Sequence, residues 1–473
     1  MTKQSTSNKK SSATEQLVKQ ALITRFNDLP SEVIERAKVF ISDSVSVGIS
    51  GSRMPLVAAV KNLAMSHGQV ASPNSGATIW HSGELMAPAC AAMVNGFQIH
   101  NQEWDCVHEK AVVHPMAVIL SALVAVAEHN NLSGKQLIQG VVAAVEVATR
   151  IGACATSPIK FFRPAICGAI GATAGIANML GLSFTQTLDA MGIAYSHSSG
   201  TMQAHVEGSP MLPMQVAFNA RNAINAIELA QSGFSGPHNF LEGPFGYFQL
   251  MEDSVDISRL TQGLGTDWQI CQVAHKPFPT GRAAHGTVDA LSELTAKHKF
   301  RADVISSINV SAPELICRLV ARRPTTTMDA NYAKLCNAYI AATYLLTGKV
   351  SVEDFETKAL RDPERLALAE KVTTSQSNCT DPNALAPQTI TVKLINGDEH
   401  TLHLENILGH PLRPLSIEQQ LQKFTLCCKS ASTPFSDQQI TTLHRALSQL
   451  ENLNSVQNLI PLMVQNTKIK EVS

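Results

Sequence analysis

The chain has 473 residues, of which 44% are apolar and 16% are charged, and its formal net charge is -1. A chain of this length is expected to form two lobes with large apolar cores. The near balance of acidic and basic residues gives no basic face that could follow a phosphate backbone, so we expect no nucleic acid as a partner.

The cysteines and the N-terminal segment indicate the cellular compartment. The ten cysteines are scattered without a CxxC pair, which is typical of buried thiols in a reducing compartment. No uncharged apolar run reaches the roughly 20 residues of a membrane-spanning helix. Residues 1–13 are mostly polar and are predicted to form a disordered tail. We therefore predict a cytoplasmic protein without a membrane partner.

The first half of the chain is predicted to be helical, because apolar residues recur at helical spacing and capping residues stand before them. The predicted helices begin at or near Ser31, Pro115, Ser133, Pro164, Ser183 and Val216. The segment after Pro164 is rich in alanine and glycine, so neighbouring helices can approach it closely. Residues 14–266 are therefore expected to form a helical domain.

The pattern changes near Asp267, where alternating apolar and polar residues predict strands. Strands are predicted at Val304–Val310, Thr389–Leu394 and His400–Leu404, and helices at His285–His298 and Tyr332–Leu346. The Asn396-Gly397 dipeptide between the last two strands predicts a hairpin. Residues 267–412 are thus expected to form an α+β lid domain.

The helical pattern returns at Ser416, and residues 413–473 are predicted to complete the helical domain. The predicted fold is mostly α with an α+β lid. An all-helical lobe is formed by both chain ends, and an α+β domain is inserted between them.

Cationic side chains are concentrated in KPFPTGRAAHGTVDA, the segment from Lys276 to Ala290. It brings Lys276, Arg282 and His285 together at the start of a predicted helix. Such a cluster can bind a small carboxylate, because the free N–H groups and the helix dipole add to the side-chain charges. The alternative is a solvated loop with ordinary basic residues.

Histidines and acids are concentrated in HNQEWDCVHEKAVVHP, the segment from His100 to Pro115. It could line a pocket in which one residue serves as a general base. Metal binding is a second interpretation, since His100 and Glu103 share a helical face, but the spacing matches no zinc pattern and we predict no metal. A polar connection between helices is the third. A later segment, GFSGPHNFLEGPFGYF, is predicted to be a structural loop.

The order of these segments resembles the MmgE/PrpD family, which contains 2-methylcitrate dehydratase, cis-aconitate decarboxylase and iminodisuccinate epimerase. The resemblance rests on NGFQIHNQEWD with VVHPMAVILSALVAVAE, on GATAGIANMLGLSFTQTLDAMGIA, on GFSGPHNFLEGPFGYF and on HKPFPTGRAAHGTVDA. It implies a lyase or isomerase that uses no metal or cofactor. It also implies a homodimer whose pocket lies between a helical lobe and a lid lobe.

The pocket residues of the family transfer unevenly onto this sequence. The histidine of its His-Pro motif corresponds to His114, the lysine of its Lys-Pro motif to Lys276, and a lid-helix tyrosine of the decarboxylases to Tyr339. Glu103 and Asp105 correspond to the first two acids of an Asp-x-Asp-Asp-Thr run.

Other positions depart from the family pattern. The departures are Cys106 for the third acid and Val107 for the threonine of that run, Arg163 for a histidine, Leu212 for a lysine and Gln215 for a second histidine. Arg163 offers a bidentate fork to a carboxylate but cannot act as a base near neutral pH. We expect Arg163, Lys276 and Arg282 to divide the carboxylates of the substrate among them.

From these features we predict a cofactor-independent hydro-lyase that removes a proton next to a carboxylate of a small di- or tricarboxylic acid. His114 is the predicted base or acid, and Lys276 and Arg282 would stabilise the carbanion-like state. Glu103 or Asp105 would orient His114 or share the proton transfer.

The remaining predicted site residues have supporting roles. Tyr339 would donate a proton to the departing hydroxyl or to carbon, and His100 and His285 would contact the substrate, although a buried core histidine is an equal interpretation for His285. The alternative functions are a cis-aconitate-type decarboxylase, an epimerase or isomerase of a dicarboxylate, and a catalytically altered member that only binds carboxylates.

Overall fold

The computed structural model describes residues 11–68, 70 and 76–465. Of the predicted tail, residues 1–10 lie outside the described part, whereas Ser12 caps the first helix and Ala13 begins it. None of the helices in the described part combines the length and the apolarity that crossing a membrane requires.

The described chain is mostly helical, as predicted. Its α-helices are α1 Ala13–Ile23, α2 Ser31–Gly51, α3 Val57–His67, α4 Pro88–His100, α5 Pro115–His129, α6 Gly134–Ala153, α7 Arg163–Leu180, α8 Phe184–Ser196, α9 Gln203–Glu207, α10 Met211–Gln231, α11 Tyr247–Leu250, α12 His285–His298, α13 Glu314–Val320, α14 Ala330–Ala333, α15 Asn337–Thr347, α16 Thr357–Leu360, α17 Pro363–Ala369, α18 Ile417–Lys429 and α19 Asp437–Ser448. Its strands are β1 Ala77–Thr78, β2 Leu85–Met86, β3 Val107–His108, β4 Val273–Ala274, β5 Ile305–Ala312, β6 Val372–Gln376, β7 Gln388–Leu394 and β8 Glu399–Leu404.

Most helix starts follow the signals in the sequence. Helices α2 and α5 begin at the predicted Ser31 and Pro115. Ser133 and Ser183 form capping boxes, because each side chain accepts a hydrogen bond from the backbone N–H of the third helical residue, a glutamine whose side chain bonds back. These predictions are confirmed.

The start of α10 differs from its prediction. The helix begins at Met211 rather than near Val216. Pro213 lies in the first turn, where the missing N–H costs no helical hydrogen bond, so the proline does not delay the helix.

The large apolar core lies among α2, α4, α5, α6, α7 and α10. Helices α6 and α7 approach each other closely at glycines. A Cβ atom on Gly171 would lie 2.5 Å from the carbonyl oxygen of Ala144, and one on Gly175 would lie 2.5 Å from that of Gly140. The small residues after Pro164 therefore permit this contact, as the sequence predicted.

The last two helices complete this core. Helices α18 and α19 both pack against α2. From α18, Lys423 reaches inward, with its Nζ 2.6 Å from Asp43 Oδ1 of α2, and donates a hydrogen bond of 3.0 Å to the carbonyl oxygen of Trp104. The helical core therefore contains residues from both ends of the described chain.

A four-stranded sheet of order β6-β5-β7-β8 forms the second layer. The predicted hairpin is confirmed, because β7 and β8 pair antiparallel with Ile390 opposite Leu402. Helix α12 packs against β7 and β8, and α15 packs against β6. Strand β6 was not predicted, since its sequence VTTSQ has a single apolar residue and does not alternate. The predicted helix Tyr332–Leu346 is interrupted, with α14 ending at Ala333 and α15 starting at Asn337.

A short ladder joins the two halves of the chain. Strand β3 pairs antiparallel with β4, with Val107 opposite Ala274 and His108 opposite Val273. This pairing places the segment after α4 beside the segment that contains Lys276. The domain boundaries at residues 267 and 412 stay a prediction.

Candidate active site

Two imidazoles meet at one buried carboxylate where α4 connects to α5. His100 ends α4, and His114 stands directly before α5. The Nδ1 atom of His100 lies 2.9 Å from Asp105 Oδ2, and the Nδ1 atom of His114 lies 3.3 Å from the same oxygen. The two rings meet edge to face, with their centroids 5.1 Å apart. The structure thus brings together three of the predicted site residues.

The two histidines have opposite pKa shifts. Burial alone would lower the pKa of His100, but the negative charges of Asp105 and Glu103 outweigh it and raise the pKa. Burial and the positive charge of Lys276 lower the pKa of His114, against the opposing effect of Asp105. Two neighbouring groups whose pKa values are shifted in opposite directions are suited to separate acid and base roles.

Asp105 stays ionised between them. Burial opposes its charge, yet the neighbouring His100, His114 and Lys276 hold the pKa of its carboxyl well below the usual range. Within the described residues, Asp105 Oδ1 and His100 Nε2 are buried atoms without a hydrogen-bond partner. Unused polar atoms in a buried cluster leave bonding capacity for a ligand or for water.

Lys276 is fully buried against the same cluster. Its Nζ donates hydrogen bonds of 3.0 Å to both the carbonyl oxygen and Oε2 of Glu103, and lies 3.8 Å from Asp105 Oδ1. Glu103 has a φ of 56°, in the left-handed region that a residue with a side chain seldom adopts. Burial opposes ionisation of Glu103, but the Lys276 charge lowers the pKa of its carboxyl to about 2.

A cavity of about 60 Å³ lies beside this cluster and is lined from both halves of the chain. Its polar lining residues include Glu103, His114, His205 and Arg282. The rest of the wall is largely apolar and includes Val107, Phe162, Met202, Leu212, Leu335 and Leu385. This volume holds a few water molecules.

The cluster also has the spacing of a metal site. One ligand atom each from His100, Asp105 and His114 lies within 4.8 Å of the others. The Lys276 ammonium is only 3.8 Å from Asp105 Oδ1, however, and would repel a cation at that position. We therefore interpret the three residues as a proton-transfer group.

Arg282 lines the cavity but already donates hydrogen bonds to other residues of the chain. Its Nε donates to Glu109 Oε1 at 2.8 Å, and one terminal nitrogen donates to the carbonyl oxygen of Leu408 at 2.7 Å. A further hydrogen bond reaches the carbonyl oxygen of Ile407. Arg282 can attract a substrate carboxylate from this position, but with much of its hydrogen-bonding capacity already used.

His285 is buried at the start of α12. It stacks on Phe278 with ring centroids 4.2 Å apart, and its Nε2 lies 3.3 Å from the carbonyl oxygen of Thr280. Burial and the nearby Arg282 charge hold its pKa well below the usual value, so it stays neutral. This placement favours the interpretation as a core histidine over direct contact with the substrate.

The placement of Arg163 does not favour the prediction that it binds a substrate carboxylate, which stays a prediction. Its guanidinium is fully buried and forms two hydrogen bonds with Glu252, of 2.7 Å and 2.8 Å. Asn383 and the carbonyl oxygen of Ser157 accept the others. Arg163 thus forms a closed ion pair and is not among the residues that line the cavity.

Substitution of Arg163 should therefore affect stability first. Arg163→Met leaves Glu252 buried without its cation, and we expect the free energy of unfolding to fall by about 3–5 kcal/mol. Urea unfolding measures this change, and adding Glu252→Gln to the same chain should recover part of it. Unchanged unfolding together with weaker substrate binding would contradict the structural role.

Tyr339 also lies elsewhere than predicted. Its hydroxyl donates a hydrogen bond of 2.6 Å to the carbonyl oxygen of Asp354 and accepts one of 3.1 Å from Arg365. Tyr339 is fully buried in the apolar core around β5 and α12. This placement favours a structural role, and its role as proton donor to a substrate stays a prediction.

Two further buried residues near the cluster were missed in the sequence. Lys334 is buried, donates to the carbonyl oxygen of Asn101 at 2.9 Å, and has its pKa lowered by burial to about 8. His205 lines the cavity, and burial and the Arg322 charge lower its pKa to about 4. The one signal for Lys334 in the sequence was its position within the apolar run AKLCNAYIAA.

Comparisons with known proteins agree over nearly the whole chain. The MmgE/PrpD N-terminal domain matches residues 15–260, and the MmgE/PrpD C-terminal domain matches residues 278–449. Cis-aconitate decarboxylase from Aspergillus terreus is 27% identical, with 98% of this chain and 99% of that protein covered. The human cis-aconitate decarboxylase is 27% identical, with 92% and 91% covered. The cis-aconitate decarboxylase-like protein oryM from Aspergillus oryzae is 26% identical, with 92% and 94% covered.

Proposed function

Since this chain belongs to the MmgE/PrpD family, we propose that it is a lyase that releases CO2 from a small unsaturated carboxylic acid. The observation that carries the proposal is the pair of imidazoles on Asp105, beside the buried Lys276 ammonium. The cis-aconitate decarboxylases that align with almost the full chain support carbon–carbon cleavage over the loss of water predicted from the sequence.

The two sides of the cavity suit the two ends of such a substrate. A carboxylate that is retained would lie toward Lys276 and Arg282, whose charges stabilise negative charge that develops nearby. A carboxylate that leaves would lie against the apolar wall that includes Leu212 and Met202. A carboxylate deprived of water without a partner is destabilised, and this destabilisation favours its loss as CO2.

The reaction balances with one proton. The carbon–carbon bond to the leaving carboxylate breaks, and its electron pair shifts through the adjacent double bond to the carbon next to the retained carboxylate. That carbon takes a proton from the His114 imidazolium, the imidazole that lines the cavity. His114 regains its proton from solvent, while Asp105 orients the ring and His100 keeps a positive charge beside the acids.

The pH dependence of turnover tests this proton transfer. The donor must be protonated, and the pKa of His114 is lowered from its ordinary value of about 6.5. We therefore expect kcat/KM for CO2 release to begin to decline at a pH below 6.5, where His114 loses its proton, and then to fall about tenfold for each pH unit. CO2 release from cis-aconitate and related unsaturated acids, followed across pH, measures this decline. Release that instead rises through the same range would contradict a His114 donor.

Dehydration or epimerisation is the second candidate, and the lowered pKa of His114 favours it. A neutral imidazole near neutral pH is ready to remove a proton from carbon. In that case activity rises as pH passes the His114 pKa and no CO2 is released. Solvent deuterium that enters the substrate without elimination would separate an epimerase from a dehydratase. Binding of carboxylates without any turnover would instead support a member that has lost its activity.

The assembly and location stay predictions. We propose a homodimer, on the resemblance to the family, and a cytoplasmic location. Sedimentation of the purified chain tests the first, and imaging of the tagged chain in its own cells tests the second.

A further inference from the structure

Nearly every buried cation around the cavity is already matched by an acid of the same chain. Lys276 is held by Glu103, and Arg282 is held by Glu109. His100, in its protonated form, is matched by Asp105. Lys334 is the exception among these groups, since the hydrogen bond that it donates goes to a backbone carbonyl. Among these groups the surplus is therefore one positive charge, or two when His114 carries the proton that it donates, and neither value balances the three negative charges of a tricarboxylate.

Glu103 adds a fixed negative charge to the wall. Its carboxylate lines the cavity and already accepts a hydrogen bond from the Lys276 ammonium, on the side from which a substrate would approach. Coulomb repulsion between this carboxylate and a nearby anion is strong where water is scarce. Each carboxylate on the substrate beyond the one that is retained and the one that leaves would meet this repulsion.

The apolar part of the lining offers no partner to a third carboxylate. Leu212 is buried at 6% exposure and faces the cavity with Met202 and Leu335. A carboxylate placed against these side chains loses its water and gains no hydrogen bond. That cost is useful for a group that departs as CO2, but it weakens the binding of a group that stays.

We infer that the site takes an unsaturated dicarboxylate whose remaining substituent is uncharged, and that Glu103 and Leu212 disfavour a tricarboxylate. The inference rests on the proposed function, since it assigns one carboxylate to each side of the cavity. The acids in question have the skeleton of cis-aconitate, with a methyl group or hydrogen in place of the carboxylate on the central carbon.

Three acids of matching double-bond geometry test the inference, namely cis-aconitate, 3-methylglutaconate and glutaconate. They share the leaving carboxylate on a CH2 group and the retained carboxylate on the double bond, and differ in the central substituent. We expect kcat/KM for 3-methylglutaconate to exceed that for cis-aconitate by at least about tenfold, because of the unpartnered third carboxylate. Equal or better turnover of cis-aconitate overturns the inference and leaves the proposed decarboxylase standing.

Variants at the apolar wall sharpen the same test. Leu212→Lys places a cation at this wall and should raise kcat/KM for cis-aconitate relative to the other two acids. Leu212→Met keeps the wall apolar and should leave the three acids in the same order of kcat/KM as in the wild-type chain. If no acid releases CO2, the proposed function fails, and titration calorimetry of the same acids still ranks them. Tighter binding of cis-aconitate than of 3-methylglutaconate by the wild-type chain then overturns the inference as well.

Discussion

Replacing His114 by asparagine is expected to lower kcat about 10²- to 10⁴-fold while the chain stays folded. The imidazole is the group of the pair that lines the cavity, and general acid–base catalysis typically contributes a factor of this size. Asparagine keeps a polar side chain next to Asp105 but cannot carry the proton. CO2 release under saturating substrate measures the loss, and the thermal unfolding midpoint monitors the fold.

An exposed histidine of the four-stranded sheet provides the matched control. His403 lies in β8 with half of its side chain exposed, and it contacts Glu405 and Thr389. His403→Asn should keep the full rate, because this residue is remote from the cavity lining. If His114→Asn also keeps the full rate, another group transfers the proton and the assignment is wrong.

Replacing Lys276 by methionine is expected to abolish turnover and to lower the free energy of unfolding by about 3–5 kcal/mol. The substitution leaves the carboxylates of Glu103 and Asp105 buried beside an apolar side chain. Their pKa values are held down partly by this ammonium, so both should rise in the variant. Urea unfolding at neutral pH measures the loss of stability.

A double substitution separates stability from catalysis. Adding Glu103→Gln to Lys276→Met removes one unpaired buried charge and should recover part of the lost stability, while turnover remains absent. Lys393→Met is the control, because its exposed pair with Glu399 contributes at most about 1 kcal/mol. An undiminished unfolding free energy in Lys276→Met would show that the buried pair does not contribute to stability.

Local signals in the sequence were sufficient for much of the fold. The serine caps at Ser133 and Ser183 and the Asn396-Gly397 turn each fix backbone geometry within a few residues, so the elements they predicted are present. Strand β6 escaped prediction, because its place at the sheet edge depends on parallel pairing with β5 and not on its own alternation.

The site was only partly predictable for the same reason. His100, Asp105 and His114 lie within one segment, and the family resemblance added Lys276, which β3 and β4 bring to them. The role of Arg163 depends on Glu252, a partner 89 positions further along the chain that no local pattern connects to it. The Tyr339 hydroxyl likewise donates to the carbonyl oxygen of Asp354 because of tertiary packing, which a single sequence does not reveal.

The contact of α18 with Asp43 and Trp104 has a consequence for biosynthesis. The ribosome synthesises α2 and the Trp104 segment several hundred residues before Lys423. A nascent chain therefore displays an uncovered apolar face and an unmatched Asp43 until α18 has been synthesised. Exposed apolar surface of this kind favours aggregation, so a chain that stops ahead of α18 is expected to aggregate more readily than the full chain.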